Sequence, residues 1–577
     1  MLVRLLRRSL APYRRTLALV IVLLLIQAFG QLYLPNLNAS IINNGVLTGD
    51  TGYILRIGAL MLLVTAVFTV AAIVAVYYSA RTAMRFGRDV RGDLFAKVQS
   101  FALREVNTFT APSLITRNTN DVQQVQMLVV MGLTTMISAP IVAVGGVIMA
   151  VKENVQLSAL LLLIIPVMLI VIGSIVLRAV PQFTVMQDRI DRINLVLREK
   201  LSGIRVIRAF VRTDYERQRF ADANDALTDT SLRVARLFAL MMPSLSLILN
   251  MAVVGVLWFG GHLVDSGSMP VGNLTAFIAY VMQILTSVMM AVMMVVMIPR
   301  ASASADRIQE VLDTEPAIRE VDDPSTVVPS RGVVELRDVD FRYPGAEQPV
   351  LHAVSFTCRP GEVTAIVGST GVGKTTAINL MTRLYDTTGG AVLIDGVDVR
   401  DLPFEVLWSC FGLVPQKAFL FSGTIATNLQ FGRPGATEEE MWAALETAQA
   451  AAFVRELPDG LHARIDQGGA NFSGGQRQRL AIARALVREP LIAIFDDSFS
   501  ALDFTTDANL RRALKDRTSH ATVIIVAQRV NTVMQADQIV VLDDGQVVGT
   551  GTHHELMQTC ETYQEIVSSQ LSAAEAA

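Results

Sequence analysis

Six long apolar segments dominate the first 300 residues of this 577-residue chain. They lie near residues 16–37, 55–78, 128–150, 157–180, 238–262 and 272–298. A helix needs about 20 apolar residues to cross the hydrocarbon core of a bilayer, and each segment meets that length. Because a backbone in lipid has to satisfy its own hydrogen bonds, the segments predict an all-α membrane domain of six helices.

The overall composition agrees with a large membrane portion. Hydrophobic residues make up 52% of the chain, and the mean hydropathy is +0.44. The formal net charge of −3 argues against nucleic acid as the main partner. The chain has three cysteines, Cys358, Cys410 and Cys560. They are odd in number and widely spaced, so we expect free thiols rather than a disulfide framework or a zinc site.

Positive charge is distributed unequally between the connecting segments. Segments 38–55 and 263–271 contain no Lys or Arg, whereas 79–127 and 181–237 contain many. Since Lys and Arg stay on the cytoplasmic side, we expect both long segments and both termini inside the cell. No small-residue cleavage site follows the basic N-terminus, so we expect no signal peptide.

The two long basic segments keep an apolar periodicity typical of helices. Ile190, Ile193, Leu197 and Leu201 recur at helical spacing with charged residues between them. We therefore expect the membrane helices to continue into the cytosol as two hairpins. Their tips are predicted near 106–116 and 210–218, where Pro112 and the pair Thr213-Asp214 interrupt the pattern. Such tips would serve as docking points for a cytosolic motor.

The cores of the six segments contain no Asp, Glu, Lys or Arg, which favours an apolar or amphipathic substrate over an ion relay. The polar residues there are Gln27, Gln31, Asn250 and Gln283. Each could face a substrate cavity or join helices by hydrogen bonds. The sixth segment contains Met289, Met290, Met293, Met294 and Met297. Methionines suit an adaptable cavity, but they also fill gaps or face lipid.

The composition changes after the sixth segment. Residues 300–331 are charged and contain Pro316, Pro324 and Pro329. We therefore predict a membrane domain at 1–310, a linker at 311–331 and a second, α/β domain at 332–577.

The second domain carries a phosphate-binding loop. The buried-strand pattern 363–367 is followed by Gly368-Ser369-Thr370-Gly371-Val372-Gly373-Lys374-Thr375-Thr376 and by an apolar helix pattern from Ala377. This is the G-x-x-x-x-G-K-[ST] motif in its strand–loop–helix context. The glycines let backbone N–H groups converge on phosphates, Lys374 reaches the terminal phosphates, and the Thr375 hydroxyl can bind Mg²⁺. The expected ligands are ATP and Mg²⁺.

Two further motifs complete the chemistry. The apolar strand 491–495 ends in Asp496 and Asp497. Asp496 is placed to hold Mg²⁺, and Asp497 stands where a base or a water-orienting residue is expected. The segment Phe472-Ser473-Gly474-Gly475-Gln476, called the signature segment below, opens an apolar helix, and its backbone N–H groups form a second anion site.

In this order and spacing, the three motifs resemble the ATP-binding cassette of ABC transporters. The resemblance covers essentially the whole chain, since the membrane half resembles the exporter-type domain, including the stretch 203–210. It implies that Tyr343 stacks on adenine, that Gln416 links Mg²⁺ to the membrane domain, and that Asp503 is the D-loop aspartate. The chain resembles actinobacterial half-transporters of the multidrug type. The expected fold is thus an all-α six-helix transmembrane domain followed by an α/β P-loop ATP-binding cassette domain.

Two positions depart from the family pattern. The family usually has Glu where this chain has Asp497, and His where it has Gln528. Asp is one methylene shorter than Glu, and neutral Gln cannot carry a proton as His can. The family implies that two cassettes close head to tail, each ATP lying between one phosphate loop and the partner's signature segment. We therefore predict a heterodimer in which this chain supplies the weak site and the signature of the active site.

The predicted activity is ATP-driven export across a bacterial inner membrane. The partner would be a half-transporter with Glu and His at the two positions, and a homodimer, with two weak sites, is less favoured. One alternative keeps the fold but moves a lipid, fatty acid or siderophore, either outward or inward. Another is an ATP-gated channel or regulatory subunit, although no long serine-rich insertion is present. The six apolar segments exclude a soluble ATPase.

Overall fold

A computed structural model of the chain describes residues 1–295, 297–321, 323–500, 502–517 and 520–570. The chain divides into two compact units. The first unit comprises Met1–Gln99 and Ala111–Thr314, and the second comprises Ser100–Thr110 and Glu315–Ala577.

The first unit is helical throughout its described regular structure. Its helices are α1 (Leu2–Leu10), α2 (Arg14–Ile41), α3 (Thr51–Gln99), α5 (Ala111–Thr116), α6 (Val122–Met131), α7 (Ile137–Glu153), α8 (Val155–Ser158), α9 (Leu161–Ser202), α10 (Ile204–Ala209), α11 (Thr213–Asp265), α12 (Val271–Val295) and α13 (Met297–Asp313), with α4 (Leu103–Phe109) belonging to the second unit. In the described residues, six helical runs are long and apolar enough to cross a membrane. The prediction of six membrane helices is confirmed.

The long helices extend well beyond a bilayer. Helix α3 has 49 residues and α11 has 53. At 1.5 Å per residue they are about 75 and 80 Å long, whereas the hydrocarbon core is about 30 Å thick. The helices therefore project into the aqueous phase, as their periodicity predicted.

The tips of the two hairpins lie earlier in the chain than predicted. The first tip is 100–110 and the second is 203–212, because α5 already begins at Ala111 and α11 at Thr213. Pro112 does not interrupt a helix but stands in the first turn of α5, where the missing N–H has no helical partner to lose. Asp214 likewise lies in the first turn of α11, where an acidic residue favours the helix.

An ion pair between a half-exposed arginine and a buried carboxylate joins α13 to the helical run that contains α6. The Asp121 carboxylate is buried and accepts hydrogen bonds from the Arg307 guanidinium and, at 3.0 Å, from the Ser304 hydroxyl. Removing one partner of such a pair leaves a buried charge uncompensated. The contact holds the last helix of the first unit against the bundle.

The described residues of the second unit form three sheets. A four-stranded sheet has the order β2 (Leu351–Cys358), β1 (Val334–Phe341), β4 (Gly389–Ile394) and β5 (Val397–Asp398). A six-stranded sheet has the order β12 (Gln546–Gly551), β11 (Gln538–Asp543), β3 (Val363–Val367), β10 (Thr522–Val526), β9 (Ile492–Asp496) and β6 (Phe411–Val414). Strands β7 (Gly423–Thr424) and β8 (Arg464–Ile465) pair separately.

The helices of the second unit surround these sheets. Besides α4, the described ones are α14 (Lys374–Met381), α15 (Phe404–Ser409), α16 (Ile425–Gly432), α17 (Glu438–Thr447), α18 (Ala451–Glu456), α19 (Gly474–Leu486), α20 (Phe504–Arg517), α21 (His553–Thr559) and α22 (Glu561–Gln570). In the six-stranded sheet, β10 lies between β3 and β9 and is parallel to both. The carboxyl ends of these three strands therefore share one edge, which is where ligands bind in such sheets.

Two further segments, the first hairpin tip and the end of the linker, contact the strands and helices of the second unit. Helix α4 carries Asn107, whose side-chain Nδ2 donates to the Tyr385 hydroxyl at 3.4 Å. The Asp395 carboxylate accepts hydrogen bonds from the backbone N–H groups of residues 330–333, at 2.8 to 3.1 Å. The first hairpin tip and the end of the linker are thus tied to the cassette.

Candidate functional site

The phosphate loop between β3 and α14 depends on glycine at two positions. Gly373 has a φ of +99°, and a Cβ there would lie 2.5 Å from the Leu351 Cδ2 atom. Gly368 has a φ of +152°, and its Cβ would lie 2.3 Å from the Leu542 carbonyl oxygen. No other residue fits either position without moving the backbone. The loop therefore keeps its backbone bare and curled at the start of α14.

Lys374 folds over this loop. Its Nζ donates to the carbonyl oxygens of Gly368 at 2.8 Å and Ser369 at 2.7 Å, and the side chain is buried. Burial lowers the pKa of the ammonium, against the opposing effect of the Asp497 and Asp496 charges. A buried cation with only carbonyl partners is stabilised by an incoming phosphate. The residues present fit the triphosphate expected from the motif.

Thr375 and Asp496 face each other as a Mg²⁺ site requires. The Thr375 hydroxyl donates to the two carboxylate oxygens of Asp496 at 3.1 and 3.3 Å. Asp496 is buried at the end of β9, and burial raises its pKa, with a further contribution from the Asp497 charge. A divalent cation would stabilise the ionised carboxylate, so the donor set fits Mg²⁺. When bound, Mg²⁺ neutralises charge on the phosphates.

The two unusual residues lie together at the end of β9 and β10. Asp497 has a φ of +46°, its N–H donates to the Val526 carbonyl at 2.9 Å, and its Oδ2 accepts from Gln416 Nε2 at 3.3 Å. Gln528 follows β10 and lines the same small cleft as Asp497. Asp is among the residues that tolerate left-handed backbone. The structure thus brings Asp497, Gln528 and Gln416 to the edge that carries the phosphate loop.

Gln570 is a residue that the sequence did not single out. Its Oε1 accepts from the Val530 N–H at 2.9 Å, and its Nε2 donates to the Gln528 carbonyl at 2.8 Å. The last described turn of α22 thus holds the backbone on both sides of Arg529. Gln570 lies about 40 residues from its two contacts and is an ordinary Gln in a polar segment, so no sequence pattern indicates this contact.

Tyr343 lies in an aromatic cluster at the end of the four-stranded sheet. It makes edge-to-face contacts with Phe341 and Tyr385, with ring centroids 4.8 and 5.4 Å apart. Its hydroxyl lies 3.0 Å from the Thr376 hydroxyl, immediately after Lys374 and Thr375 on α14. The ring is thus fixed next to the phosphate loop, as an adenine platform requires.

The signature segment forms the N-terminus of α19. The Ser473 hydroxyl accepts from the Gln476 N–H at 3.3 Å, and the Gln476 side chain accepts from the Ser473 N–H at 3.0 Å. This reciprocal cap leaves Ser473 and Gly474 exposed, with Gly475 following in the first turn. Phe472, in contrast, is buried against Phe453 in the core.

Asp503 caps the following helix. Its Oδ1 accepts from the Thr506 N–H at 2.9 Å, and its Oδ2 accepts from the Thr506 hydroxyl at 2.8 Å. Both bonds lower the pKa of the Asp503 carboxyl. Ala501 of the same motif lies outside the described residues.

The membrane half contains a cavity of about 380 Å³ between α2, α7 and α12. Three of the four polar candidates line it, namely Gln27, Gln31 and Gln283. Asn250 instead donates from its side chain to the Ser246 carbonyl at 2.7 Å within α11. Among the predicted methionines Met290 lines the cavity and Met289 packs against the core, whereas the side chains of Met293 and Met294 lie outside the described part.

A six-helix membrane half joined to a phosphate-loop cassette with a second anion-binding helix start defines an ATP-driven membrane transporter. Residues 17–288 match the family described as ABC transporter transmembrane region, and residues 351–500 match the family described as ABC transporter. The chain belongs to the ABC transporter family, as a half-transporter with the exporter fold. It is a multi-pass membrane protein with a cytoplasmic ATP-binding domain, and that domain binds ATP, generally with Mg²⁺.

Similar proteins cover the whole chain. An uncharacterised ABC transporter ATP-binding protein of Mycobacterium tuberculosis is 50% identical over 99% of this chain and 98% of the relative. A multidrug efflux ATP-binding/permease protein of the same species is 35% identical over 85% of this chain and 41% of its own length. A fatty acid ABC transporter ATP-binding/permease protein of Mycobacterium bovis is 33% identical over 83% of this chain and 75% of its own length. The structure of a bacterial Atm1-family ABC exporter with ATP bound aligns with a TM-score of 0.82 at 25% identity, over 98% of this chain and 99% of that one.

Proposed function

We propose that this chain is one half of a heterodimeric exporter of apolar or amphipathic compounds and that it carries the weakly hydrolytic ATP site. The observation that carries the proposal is the position of Asp497 and Gln528. Both replace the usual residues, and both line one cleft at the edge that holds Lys374 and Asp496. The partner would be a half-transporter with Glu and His at these positions, in a bacterial inner membrane with both termini inside.

The physical basis of the weak hydrolysis is the short reach of the Asp497 carboxylate and the inability of Gln528 to transfer a proton. A general base contributes about 10²- to 10⁴-fold to a rate, and only from hydrogen-bonding distance of the proton it takes. The shorter Asp497 carboxylate is held by the Gln416 amide, and Gln528 has no basic nitrogen. In contrast, Ser473 and Gly474 are capped and exposed, so this chain can complete the active site of a partner.

Surfaces on both units support assembly with a second half-transporter. The second hairpin tip exposes Phe210 and Val211, which are 74% and 86% accessible. The cassette has a groove of about 540 Å³ whose lining includes Trp408, Phe421 and Phe431. Large exposed apolar side chains at a hairpin tip indicate an interaction site, and an aromatic groove is a suitable receptor for them. In the proposed heterodimer, each chain inserts its second tip into the groove of the other.

The proposed cycle follows from these contacts. ATP draws the two cassettes together, the hairpin tips transmit the movement, and the membrane halves open outward. Hydrolysis at the active site, which contains the partner's phosphate loop and this chain's signature segment, resets the transporter. The site built on Lys374 holds ATP over several cycles.

The test is the ATPase activity of this chain alone and with the candidate partner encoded beside it, both in lipid nanodiscs. We expect activity only from the pair. Replacing the partner's glutamate at the position equivalent to Asp497 by Gln should abolish this activity, whereas Asp497→Asn should change it less than twofold. The matched control is Lys374→Ala, which removes ATP from this chain's site. Rapid turnover by this chain alone that Asp497→Asn abolishes would refute the proposal.

A lipid-type cargo is the second candidate. It is supported by the similarity to a protein named as a fatty acid transporter. Vesicle uptake assays with a fluorescent fatty acid and with a cationic dye distinguish this cargo from a drug-type cargo.

A further inference from the structure

The cavity between α2, α7 and α12 lies deep in the membrane half. Gln27 precedes the end of α2 at Ile41, Gln283 follows the start of α12 at Val271, and Ser138 precedes the end of α7 at Glu153. At 1.5 Å per residue, each of these three positions lies about 18 to 23 Å along its helix from the terminal residue just named. The polar lining therefore lies near the middle of the hydrocarbon region.

A proline in α2 determines how one of these glutamines is oriented. Pro35 has no N–H, so the carbonyl of Gln31, four residues earlier, lacks its helical donor. The side-chain Nε2 of Gln283 donates to that carbonyl at 3.3 Å. Since only the amide nitrogen can donate, the other end of the Gln283 amide is the acceptor oxygen.

This arrangement leaves an acceptor beside the cavity without a donor. Gln283 Oε1 is buried and has no hydrogen-bond partner among the described residues. Leaving a buried acceptor without a donor is unfavourable. Ser138, also in the lining, donates its hydroxyl hydrogen to the Thr134 carbonyl at 2.8 Å, so its oxygen can only accept. Both groups are complementary to a ligand that donates hydrogen bonds.

The rest of the lining sets the charge and the apolar part of such a ligand. In the described residues, the lining contains no Asp, Glu, Lys, Arg or His. A charged head group would lose its hydration there without a counter-charge. Met282, Met290 and Val142 add flexible apolar surface beside the polar groups.

We propose that this cavity binds the polar end of an uncharged amphiphile through hydroxyl or amide N–H groups that donate to Gln283 and Ser138. The inference rests on the proposed export function, because it assigns the class of the transported compound. The apolar chain of the ligand would lie against the methionines and leave the cavity between the helices.

The probe for the test is a 1-acylglycerol with a photoreactive diazirine in its acyl chain, in liposomes that contain the chain with its partner and no ATP. The competitors are unlabelled 1-acylglycerol, its di-O-methyl ether, the acylcholine and the acyl phosphate. The di-O-methyl ether keeps every acceptor but has lost both hydroxyl donors. The variants are Gln283→Leu and Ser138→Ala, and the matched control is Asn250→Leu, a polar-to-apolar change outside the cavity lining.

We expect labelling of α2, α7 or α12, competed by 1-acylglycerol at a concentration at least fivefold lower than by the ether or by the charged compounds. Gln283→Leu should lower labelling at least fivefold, and Asn250→Leu should leave it unchanged. If Gln283→Leu does not fold, Ser138→Ala, which removes one oxygen atom, should still lower labelling at least twofold. Equal competition by the ether, stronger competition by a charged amphiphile, or labelling unaffected by both variants would overturn the inference.

The measurement separates this inference from the proposed function. Labelling needs no ATP turnover, whereas export is measured as ATP-dependent uptake of the same probe into inverted vesicles. Selective labelling without uptake would support the cavity assignment and contradict export. Uptake without donor-selective labelling would support export and overturn the cavity assignment.

Discussion

Lengthening the carboxylate at position 497 should raise the hydrolytic rate of this chain's own site. The change is Asp497→Glu, alone and combined with Gln528→His. Asp497 lies in the cleft beside the end of β10, and its Oδ2 is 3.3 Å from the Gln416 amide nitrogen. One added methylene extends the carboxylate by about 1.5 Å, which is half the length of a hydrogen bond.

The expected gain follows from the value of a positioned base. General acid–base catalysis contributes about 10²- to 10⁴-fold, so partial recovery by Asp497→Glu alone should be about tenfold. The double variant, which also restores a group that can carry a proton, should gain about 100-fold. Stability should fall slightly, because residue 497 has a φ of +46° and Glu tolerates left-handed backbone less well than Asp. A loss of about 1 kcal/mol lowers the Tm of a domain of this size by about 2–4 °C.

The assay measures ATP hydrolysis by the heterodimer after the partner's active site has been disabled. The control is nucleotide occupancy of this chain's site, which the substitutions should leave unchanged. If occupancy is kept and the double variant hydrolyses no faster than the parent, the lengths and chemistry of residues 497 and 528 do not limit the site. The degeneracy argument would then be wrong.

Three other substitutions test separate contacts. Tyr343→Ala should weaken ATP binding about 5- to 100-fold by removing one stacking face, whereas Tyr343→Phe should retain the affinity. A titration with a fluorescent nucleotide measures both affinities. Equal losses in both variants would contradict a stacking role. Asp395→Asn should lower the stability of the cassette by about 1–2 kcal/mol at neutral pH, allowing for partial exposure. Burial alone would raise the pKa of Asp395, but the four backbone donors outweigh burial and hold that pKa below its ordinary value. This stabilisation is therefore present above the ordinary carboxylate pKa and is lost as the pH falls. Denaturant unfolding from pH 7 downward should show the two proteins converging, and a constant difference would exclude the charge as its source. Gln570→Ala should accelerate hydrogen exchange at the Val530 amide about threefold or more, whereas Gln558→Ala, on the neighbouring helix, should not. Unchanged exchange would show that α22 does not restrain the backbone on both sides of Arg529.

The patterns with a strict physical requirement were predictable from sequence. Span-length apolar segments have few alternatives in lipid, so the six helices were confirmed, and so was the strand–loop–helix context of Lys374. The predicted hairpin tips lie later in the chain than the tips of the structure, because Pro112 and Asp214 resemble helix interruptions in the sequence. In the structure both residues stand in first turns, where a proline or an acidic side chain starts a helix rather than ending one.

Contacts between distant segments could not be predicted. Gln570 and Val530 are 40 residues apart, and nothing in either local pattern indicates the other. The contact that Pro35 makes possible could not be predicted either. A proline within a helix indicates a carbonyl without its helical donor, but it does not indicate which residue supplies a donor instead. Composition identified Gln283 as a candidate for either the cavity or helix joining, and the structure shows one side chain that does both.

The cassette is not a continuous piece of the chain. Its compact unit includes Ser100–Thr110, and Asn107 reaches the Tyr385 hydroxyl beside the aromatic cluster of Tyr343. A cassette produced from residue 315 onward would therefore lack eleven residues of its own fold and expose the surface that they cover. Nucleotide affinities measured on such a fragment would describe a truncated protein, and adding a peptide of residues 100–110 should return them toward those of the full chain.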